Sequence, residues 1–258
     1  MADLDTSLRI ALLIDADNAP AAKIDMVLAE LARHGIANVR RAYGNWKSQN
    51  LQKWEQALHP NAIQPIQQFA LSSGKNASDM AMVVDAMDLL HSGRFDAFAI
   101  VSSDADFTPL AMRLRAQNMR VFGFGEKKTP DPFVNACSTF LFIDEQPTGA
   151  KATSDASTAA APVPPMATAK LRQDTKLMNL LREAVEAEKE DSGWSPLAGV
   201  GKHINNRASF DQRNYGYAKL SALIEATELF ESRREGLHVV VRVKPKKTQK
   251  TENKSKSG

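Results

Sequence analysis

The sequence predicts an α/β domain built on a mainly parallel sheet, followed by a small helical domain that ends in a strand. Three observations lead to this prediction. Short apolar runs alternate with segments of helical periodicity over residues 8–145. A stretch rich in Ala, Pro, Ser and Thr then interrupts this pattern over residues 146–170. Finally, residues 171–243 show three helical segments before a last apolar run.

Six apolar runs predict the strands of the first domain. They are RIALLI (9–14), VRRAY (39–43), IQPIQQF (63–69), FAIV (98–101), RVFGF (120–124) and TFLFI (139–143). Helical periodicity fills the intervening segments 20–33, 49–58, 78–91 and 107–117. This alternation is typical of a parallel sheet with helices on both faces, in which functional residues collect at the carboxyl ends of the strands.

The remaining segments predict a linker, a second domain and a basic tail. Residues 146–170 contain almost no large apolar side chains and therefore predict a flexible linker. Helices over 171–189, 195–206 and 217–230, with a strand over 237–243, predict a winged helix-turn-helix. The tail, residues 244–258, carries six lysines and one glutamate, while the rest of the chain has a net charge of −2. The tail is thus either a solvated, disordered end or an arm that binds phosphate non-specifically.

Composition excludes several classes of protein. The single cysteine, Cys137, rules out an internal disulfide and a cysteine-based zinc site. The amino-terminal residues lack the features of a signal peptide, and no apolar run has the length of a membrane span. We therefore expect a cytoplasmic protein that does not interact with membranes.

The motif Asp-Ala-Asp occurs at the ends of two predicted strands. In ALLIDADNAP it places Asp15 and Asp17 after the first run, and in AIVSSDADFTPL it places Asp104 and Asp106 after the fourth. A single aspartate in this position often caps the following helix. Two such pairs on strands that can be neighbours in a doubly wound sheet indicate a shared acidic site instead.

Further acids lie on the predicted helix SDMAMVVDAMDLL. Asp79, at its start, shares a face with the apolar residues and leans toward the core. Asp85 and Asp88 lie on other faces and suit a polar helix surface, although Asp85 could support the site. Clustered carboxylates need a cation or raised pKa values. Oxygen ligands without a His/Cys cluster favour Mg²⁺ or Mn²⁺, which would suit attack of water on a phosphodiester.

The segment GKNASD provides a weaker signal. Lys75 and the first amides of the helix could hold a phosphate. The segment is not a Walker loop, because the pattern GxxxxGK[ST] is missing.

Together, LLIDADNAP, SGKNASDMAMVVDAMDLL, VSSDADFTPLAMRLR and VFGFGEKKTP resemble the NYN domain, a branch of the PIN-like metal-dependent ribonucleases. The resemblance covers about residues 8–145 and implies a three-layer αβα fold with a mainly parallel sheet and an acidic Mg²⁺ or Mn²⁺ site. Asp17 lies inside the first motif but has a less fixed role in the family. The residues that match the family's catalytic and metal-binding positions are Asp15 and Asn18 in the first-strand motif, Asp79 on the helix, and Asp104 and Asp106 after the fourth strand.

The second domain also has a resemblance. GWSPLAGVGKHINN and FDQRNYGYAKLSALIEATELFE are similar to the OST-HTH or LOTUS domain, which implies RNA binding or, in some animals, a protein partner. Its aromatic and aliphatic residues, such as Trp194 and Phe210, suit a core. The candidate phosphate contacts of this domain are Lys202, Arg207, Arg213 and Lys219.

Three functions therefore remain open. The first is a metal-dependent ribonuclease with a LOTUS module that delivers RNA. The second is an RNA-binding or regulatory protein of the same fold with little catalysis. The third is a haloacid-dehalogenase-type phosphatase, because an apolar run followed by Asp-x-Asp also opens that family, although Asn18 follows here in place of the usual Thr or Val.

Overall fold

The computed structural model of the 258-residue chain describes residues 7–69, 77–144, 164–236 and 238–244. Lys75, most of the predicted linker and the tail beyond residue 244 lie outside these ranges. The chain divides into two compact units. The first comprises Met1–Pro165 and Asn205–Ala218, and the second comprises Met166–Ile204 and Lys219–Gly258.

A single six-stranded sheet organises the first unit. Its strands are β1 (Leu8–Asp15), β2 (Gly35–Gly44), β3 (Gln64–Gln67), β4 (Ala97–Val101), β5 (Arg120–Gly125) and β6 (Thr139–Phe142). Their order is β3-β2-β1-β4-β5-β6, and every neighbouring pair is parallel. All six predicted strands and the predicted parallel sheet are thus confirmed.

Helices cover both faces of this sheet. They are α1 (Ile24–Leu31), α2 (Gln52–Leu58), α3 (Ala77–His91), α4 (Thr108–Ala116) and α5 (Asp131–Ala136). The alternating side chains of β1 show the two faces. Leu12 packs in the core that includes α1 and α2, whereas Leu13 packs in the core that includes α3, α4 and α5. The three-layer prediction is confirmed, whereas α5 was not predicted from the sequence.

The C-terminal elements are helical with a small antiparallel sheet. In chain order they are α6 (Thr168–Gln173), α7 (Thr175–Ala187), β7 (Ser195–Pro196), α8 (Leu197–Arg207), α9 (Leu220–Thr227), β8 (Phe230–Glu235) and β9 (His238–Val243). The sheet order is β7-β9-β8, and both pairs are antiparallel. The β8–β9 hairpin is the wing of a winged helix, of which only the second strand was predicted.

The start of this region differs from the prediction. Helix α6 begins at Thr168, inside the segment predicted as linker, because Leu171 is fully buried and holds the helix against its neighbours. The single helix predicted over 171–189 is divided at Asp174, whose carboxylate accepts a hydrogen bond from Leu177 N (2.9 Å) and caps α7. Among the helices of the described ranges, none is long and apolar enough to cross a membrane.

Candidate metal centre

The candidate site lies where the strand order of the sheet reverses. From β1 the sheet runs through β2 to β3 on one side and through β4 to β6 on the other. Ile14 of β1 pairs with Val101 of β4, so the residues that follow these two strands emerge side by side. Ligand sites of open parallel sheets form in this crevice, at the carboxyl ends of the strands.

Asp15 is the buried member of the site, with only 1% of its surface exposed. Its carboxylate accepts hydrogen bonds from Ser102 Oγ (2.7 Å) and from Asn18 Nδ2 (3.0 Å) and N (3.3 Å). Burial raises the pKa of Asp15, and the hydrogen bonds from Ser102 and Asn18 offset part of that increase. Asp15 is therefore held in one orientation, and the predicted residue Asn18 acts on it directly.

Ser102 joins the two acidic motifs. It is buried directly after β4, where its hydroxyl donates to Asp15 and accepts from Asp104 N (3.0 Å). Ser102 was not predicted as a site residue, although the Ser-Ser pair that precedes Asp104 is a signal for it in the sequence. One hydroxyl group thus fixes the loop after β4 to the carboxylate at the end of β1.

Asp104 precedes a single turn of 3₁₀ helix, Ala105–Phe107, and Asp106 lies within this turn. Asp104 is the cap of this turn, and its carboxylate accepts from Asp106 N (2.9 Å). Asp104 is half-buried, whereas Asp106 is exposed. Asp104 therefore caps a helical turn, the role that a single aspartate at the end of a strand often has. This hydrogen bond uses only one of its two carboxylate oxygens.

Asp79 shows that the acids converge. It is half-buried in the first turn of α3, and its pKa is raised to about 6. Burial is the largest cause of this increase, followed by the negative charges of Asp15, Asp104, Asp17 and Asp106. The helix acid therefore lies within electrostatic range of both acidic motifs.

Asp17 extends the cluster toward β2 and α3. It is exposed and accepts a hydrogen bond from Ser78 Oγ (3.0 Å), one residue before Asp79. A Cβ built on Gly44, at the end of β2, would lie 3.3 Å from Asp17 Oδ1 and 2.8 Å from the side chain of Leu51. Glycine at this position therefore allows the motif loop to approach β2 closely.

The donor set suits a hard divalent cation held partly through water. Within the described ranges, no three His, Cys, Asp or Glu side chains are close enough together to form a ready-made ligand set. Mg²⁺ does not need one, because it retains several waters and binds through one or two carboxylates together with substrate phosphates. A cation would also relieve the repulsion that raises the pKa of Asp79. The residues present therefore fit Mg²⁺ or Mn²⁺ better than zinc.

Asp85, considered as a supporting residue, has different partners. Its carboxylate accepts hydrogen bonds from the Tyr43 hydroxyl and from Arg41. Burial and the neighbouring Asp85 carboxylate raise the pKa of Tyr43, so the phenol stays a donor. These contacts join α3 to β2, and they give Asp85 a structural role.

The predicted nucleic-acid contacts have different environments. Lys202, Arg207 and Lys219 are exposed, as RNA contact requires, while Lys75 lies outside the described residues. Their roles in RNA binding stay predictions.

Arg213, the fourth of the second-domain contacts, already has two carboxylate partners. Its guanidinium donates to Asp211 (2.9 Å from Nε) and to Glu30 (2.7 Å from Nη2). Burial would lower the pKa of Arg213, but the hydrogen bonds to Asp211 and Glu30 outweigh it and raise the pKa. Its charge is largely compensated within the first unit, so its contribution to RNA binding is expected to be the smallest of the four.

Trp194 and Phe210, the aromatic residues predicted to pack in a core, are both buried. Trp194 belongs to the second unit, whereas Phe210 lies in the segment Asn205–Ala218 of the first unit. The wing contributes two cations that the sequence analysis did not single out. Arg233 and Arg242 lie with their guanidinium carbons 4.1 Å and 4.4 Å from the centroid of the Trp194 ring.

Two domain families match this chain. The NYN domain model matches residues 9–144, and the OST-HTH/LOTUS domain model matches residues 172–241. A crystal structure of a protein of unknown function from Vibrio parahaemolyticus is similar over 54% of this chain and 95% of its own, with 20% identity and a TM-score of 0.43. No curated protein matches the chain.

Proposed function

Because the chain belongs to the NYN domain family, we propose that it is a divalent-metal-dependent ribonuclease that hydrolyses RNA phosphodiesters. The observation that carries this proposal is the convergence of five aspartates at the switch point of the sheet. Asp79 experiences the charges of Asp15, Asp17, Asp104 and Asp106, two of which come from each strand-end motif. Such a concentration of charge disfavours a phosphate backbone unless a cation is present.

Each side chain of the site would have a different role. Asp15, Asp79, Asp104 and Asp106 would hold Mg²⁺ or Mn²⁺, directly or through water. Ser102 and Asn18 orient Asp15 through hydrogen bonds to its carboxylate, and these bonds favour its ionised form against the effect of burial. The bound ion would supply activation of water and stabilisation of the phosphate charge. Hydrolysis would form a bond from water oxygen to phosphorus and break the bond from phosphorus to the leaving ribose oxygen, while one proton of the water passes to that leaving oxygen.

The OST-HTH/LOTUS domain supports an RNA-binding role for the second part of the chain. We propose a division of labour in which residues 8–145 carry the chemistry and residues 171–243 contribute RNA affinity. Exposed Lys202, Arg207 and Lys219 are the side chains that would contact phosphates.

The test is cleavage of labelled single-stranded RNA by the full chain with Mn²⁺, with Mg²⁺ and with EDTA. Asp104→Asn should abolish cleavage. Asp88→Asn is the matched control, because Asp88 is an exposed aspartate on α3 that is not among the main causes of the raised pKa of Asp79. Cleavage only in the presence of metal, lost in the first variant and kept in the second, supports the proposal.

The same assay separates the alternatives. An RNA-binding protein with little catalysis would bind the RNA and leave it intact with either metal. A haloacid-dehalogenase-type phosphatase would release phosphate from a monoester and not cut the chain. The family match gives this last alternative no support.

A further inference from the structure

An exposed aromatic ring and a lysine lie together beyond the ends of β2 and β3. Phe69 follows β3 by two residues, and 56% of its surface is exposed. The ammonium group of Lys47 lies 4.9 Å from the centroid of the Phe69 ring. A single exposed apolar residue needs no explanation. An aromatic ring with a cation beside it, at the edge of the sheet that carries the acids, indicates a binding surface.

Hydrogen bonds hold the two loops in place. The side chain of Gln67, the last residue of β3, accepts from Trp46 N (2.9 Å) and donates to Asn45 Oδ1 (3.1 Å). The indole of Trp46 donates to the backbone of β3 (3.0 Å). The loop that carries Lys47 is therefore fixed to the strand that leads to Phe69, so both side chains project from an ordered base.

This surface lies next to the acidic cluster. Gln68 N, one residue before Phe69, donates to Gly44 O (3.2 Å) at the end of β2. Gly44 in turn closely approaches the Asp17 carboxylate. Strand β2 separates β3 from β1, so two strand spacings, or about 10 Å, separate the end of β3 from the end of β1. Neighbouring nucleotides of one RNA strand can span this distance.

We propose that Phe69 and Lys47 form a nucleotide subsite, the Phe69–Lys47 platform, for single-stranded RNA entering the acidic site. The proposal rests on the proposed ribonuclease function. One base would stack on the open surface of Phe69, and its phosphate would approach the Lys47 ammonium. Stacking on an aromatic ring suits any base, so the platform would bind without sequence preference. Its occupant is single-stranded, because the faces of paired bases are already covered by their neighbours.

The charges around this surface also favour single-stranded RNA as its ligand. The five aspartates repel phosphates, so a strand that reaches them benefits from a cation just outside the cluster. Lys47 supplies this cation on the β2–β3 side of the sheet. A protein segment would need a continuous apolar surface, whereas a nucleotide needs a ring and a positive charge, which are the two features found here.

The test is binding of the full chain to a short single-stranded oligoribonucleotide that contains one 2-aminopurine, whose fluorescence falls when the base stacks. Phe69→Leu keeps the apolar bulk and removes the aromatic face, and Phe69→Trp restores a ring. Ile36→Ala is the matched apolar control, because Ile36 is 60% exposed near the other end of β2. Lys47→Ala is paired with Arg120→Ala, which removes one positive charge at the amino end of β5.

Phe69→Leu should weaken binding by about fivefold or more and reduce the quenching, and Phe69→Trp should restore both. Lys47→Ala should weaken binding more than Arg120→Ala does. Replacing the 2-aminopurine nucleotide by an abasic one should remove most of the difference between wild type and Phe69→Leu. Equal binding by wild type, Phe69→Leu and Lys47→Ala overturns the platform alone. Failure of wild type to bind or cut any RNA overturns the platform together with the proposed function.

Discussion

Replacement of Asp79 by asparagine should stabilise the metal-free protein at neutral and alkaline pH. The folded state raises the pKa of Asp79 to about 6, from an ordinary value of 3.8, through burial and the charges of the other four aspartates. Between these two pH values the folded state binds more protons than the unfolded state. Its free energy of unfolding therefore decreases as the pH rises from about 4 to 6, and the full cost of ionising Asp79 is present above that range.

The size of this stabilisation follows from the raised pKa of Asp79. The difference between this pKa and its ordinary value corresponds to at most about 3 kcal/mol in the free energy of unfolding. Asp79 is only half-buried, so solvent screens much of this cost. Loss of the favourable interaction between the carboxylate and the amino end of α3 opposes the gain by about 0.5 kcal/mol. We expect Asp79→Asn to raise the free energy of unfolding by about 1 kcal/mol at pH 8, or roughly 4 °C in Tm.

Thermal unfolding followed by circular dichroism, in EDTA at pH 4, 5, 6, 7 and 8, measures this effect. The difference between variant and wild type should be small at pH 4, reach about half its size near pH 5 and its full size by pH 7. Asp88→Asn, on the exposed side of α3, should show no such dependence. Mn²⁺ should raise the Tm of wild type and raise that of Asp79→Asn much less, because the cation binds only the folded acidic site.

Two results would refute the reasoning. If Asp79→Asn lowers the Tm at pH 8 in EDTA, its carboxylate is stabilising and the cluster does not repel it. If the difference from wild type is the same at pH 4 and pH 8, its origin is not ionisation.

Three further predictions concern the neighbouring residues. Ser102→Ala removes the hydroxyl bonded to the buried Asp15, so it should cost about 2 kcal/mol in thermal unfolding and weaken the stabilisation by Mn²⁺; unchanged values would contradict the role of this hydroxyl. Tyr43→Phe leaves a carboxylate of α3 without its phenol donor, so it should cost about 1–2 kcal/mol while RNA cleavage at saturating substrate stays at the wild-type rate. Lys202→Ala should reduce the slope of log affinity against log salt by about 1 in an RNA-binding titration, whereas Arg120→Ala should leave the slope unchanged.

The elements that the sequence predicted share strong local patterns. Strands β1, β4, β5 and β6 are apolar runs, and α3 is fifteen residues long. The elements that it missed lack such patterns. Helix α5 is six residues long, too short for periodicity to be visible. Strand β8, FESRRE, is mostly exposed and polar, and its conformation is decided by antiparallel pairing with β9.

The acidic residues of the site could be predicted from the sequence, but the residues that contact and support them could not. An aspartate after an apolar run is visible in the sequence, and a doubly wound sheet brings two such ends together. Ser102 was missed because serine is common in loops, and only its distances to Asp15 and Asp104 give it a role. The role of Asp85 was left open, because its position in the sequence could not show that Tyr43 and Arg41 of β2 donate hydrogen bonds to it.

By itself, the sequence determined which residue types stand at the ends of β1 and β4, the parallel character of the sheet and the separation of a second helical region. These properties depend on local periodicity and on chain connectivity. Only the tertiary structure decided that β1 and β4 are neighbours, that Asp79 lies within range of four other carboxylates, and that Lys47 lies beside the ring of Phe69. The physical reason is that strand pairing and side-chain burial depend on residues far apart in the chain, so charge repulsion and desolvation arise only when the fold brings those residues together.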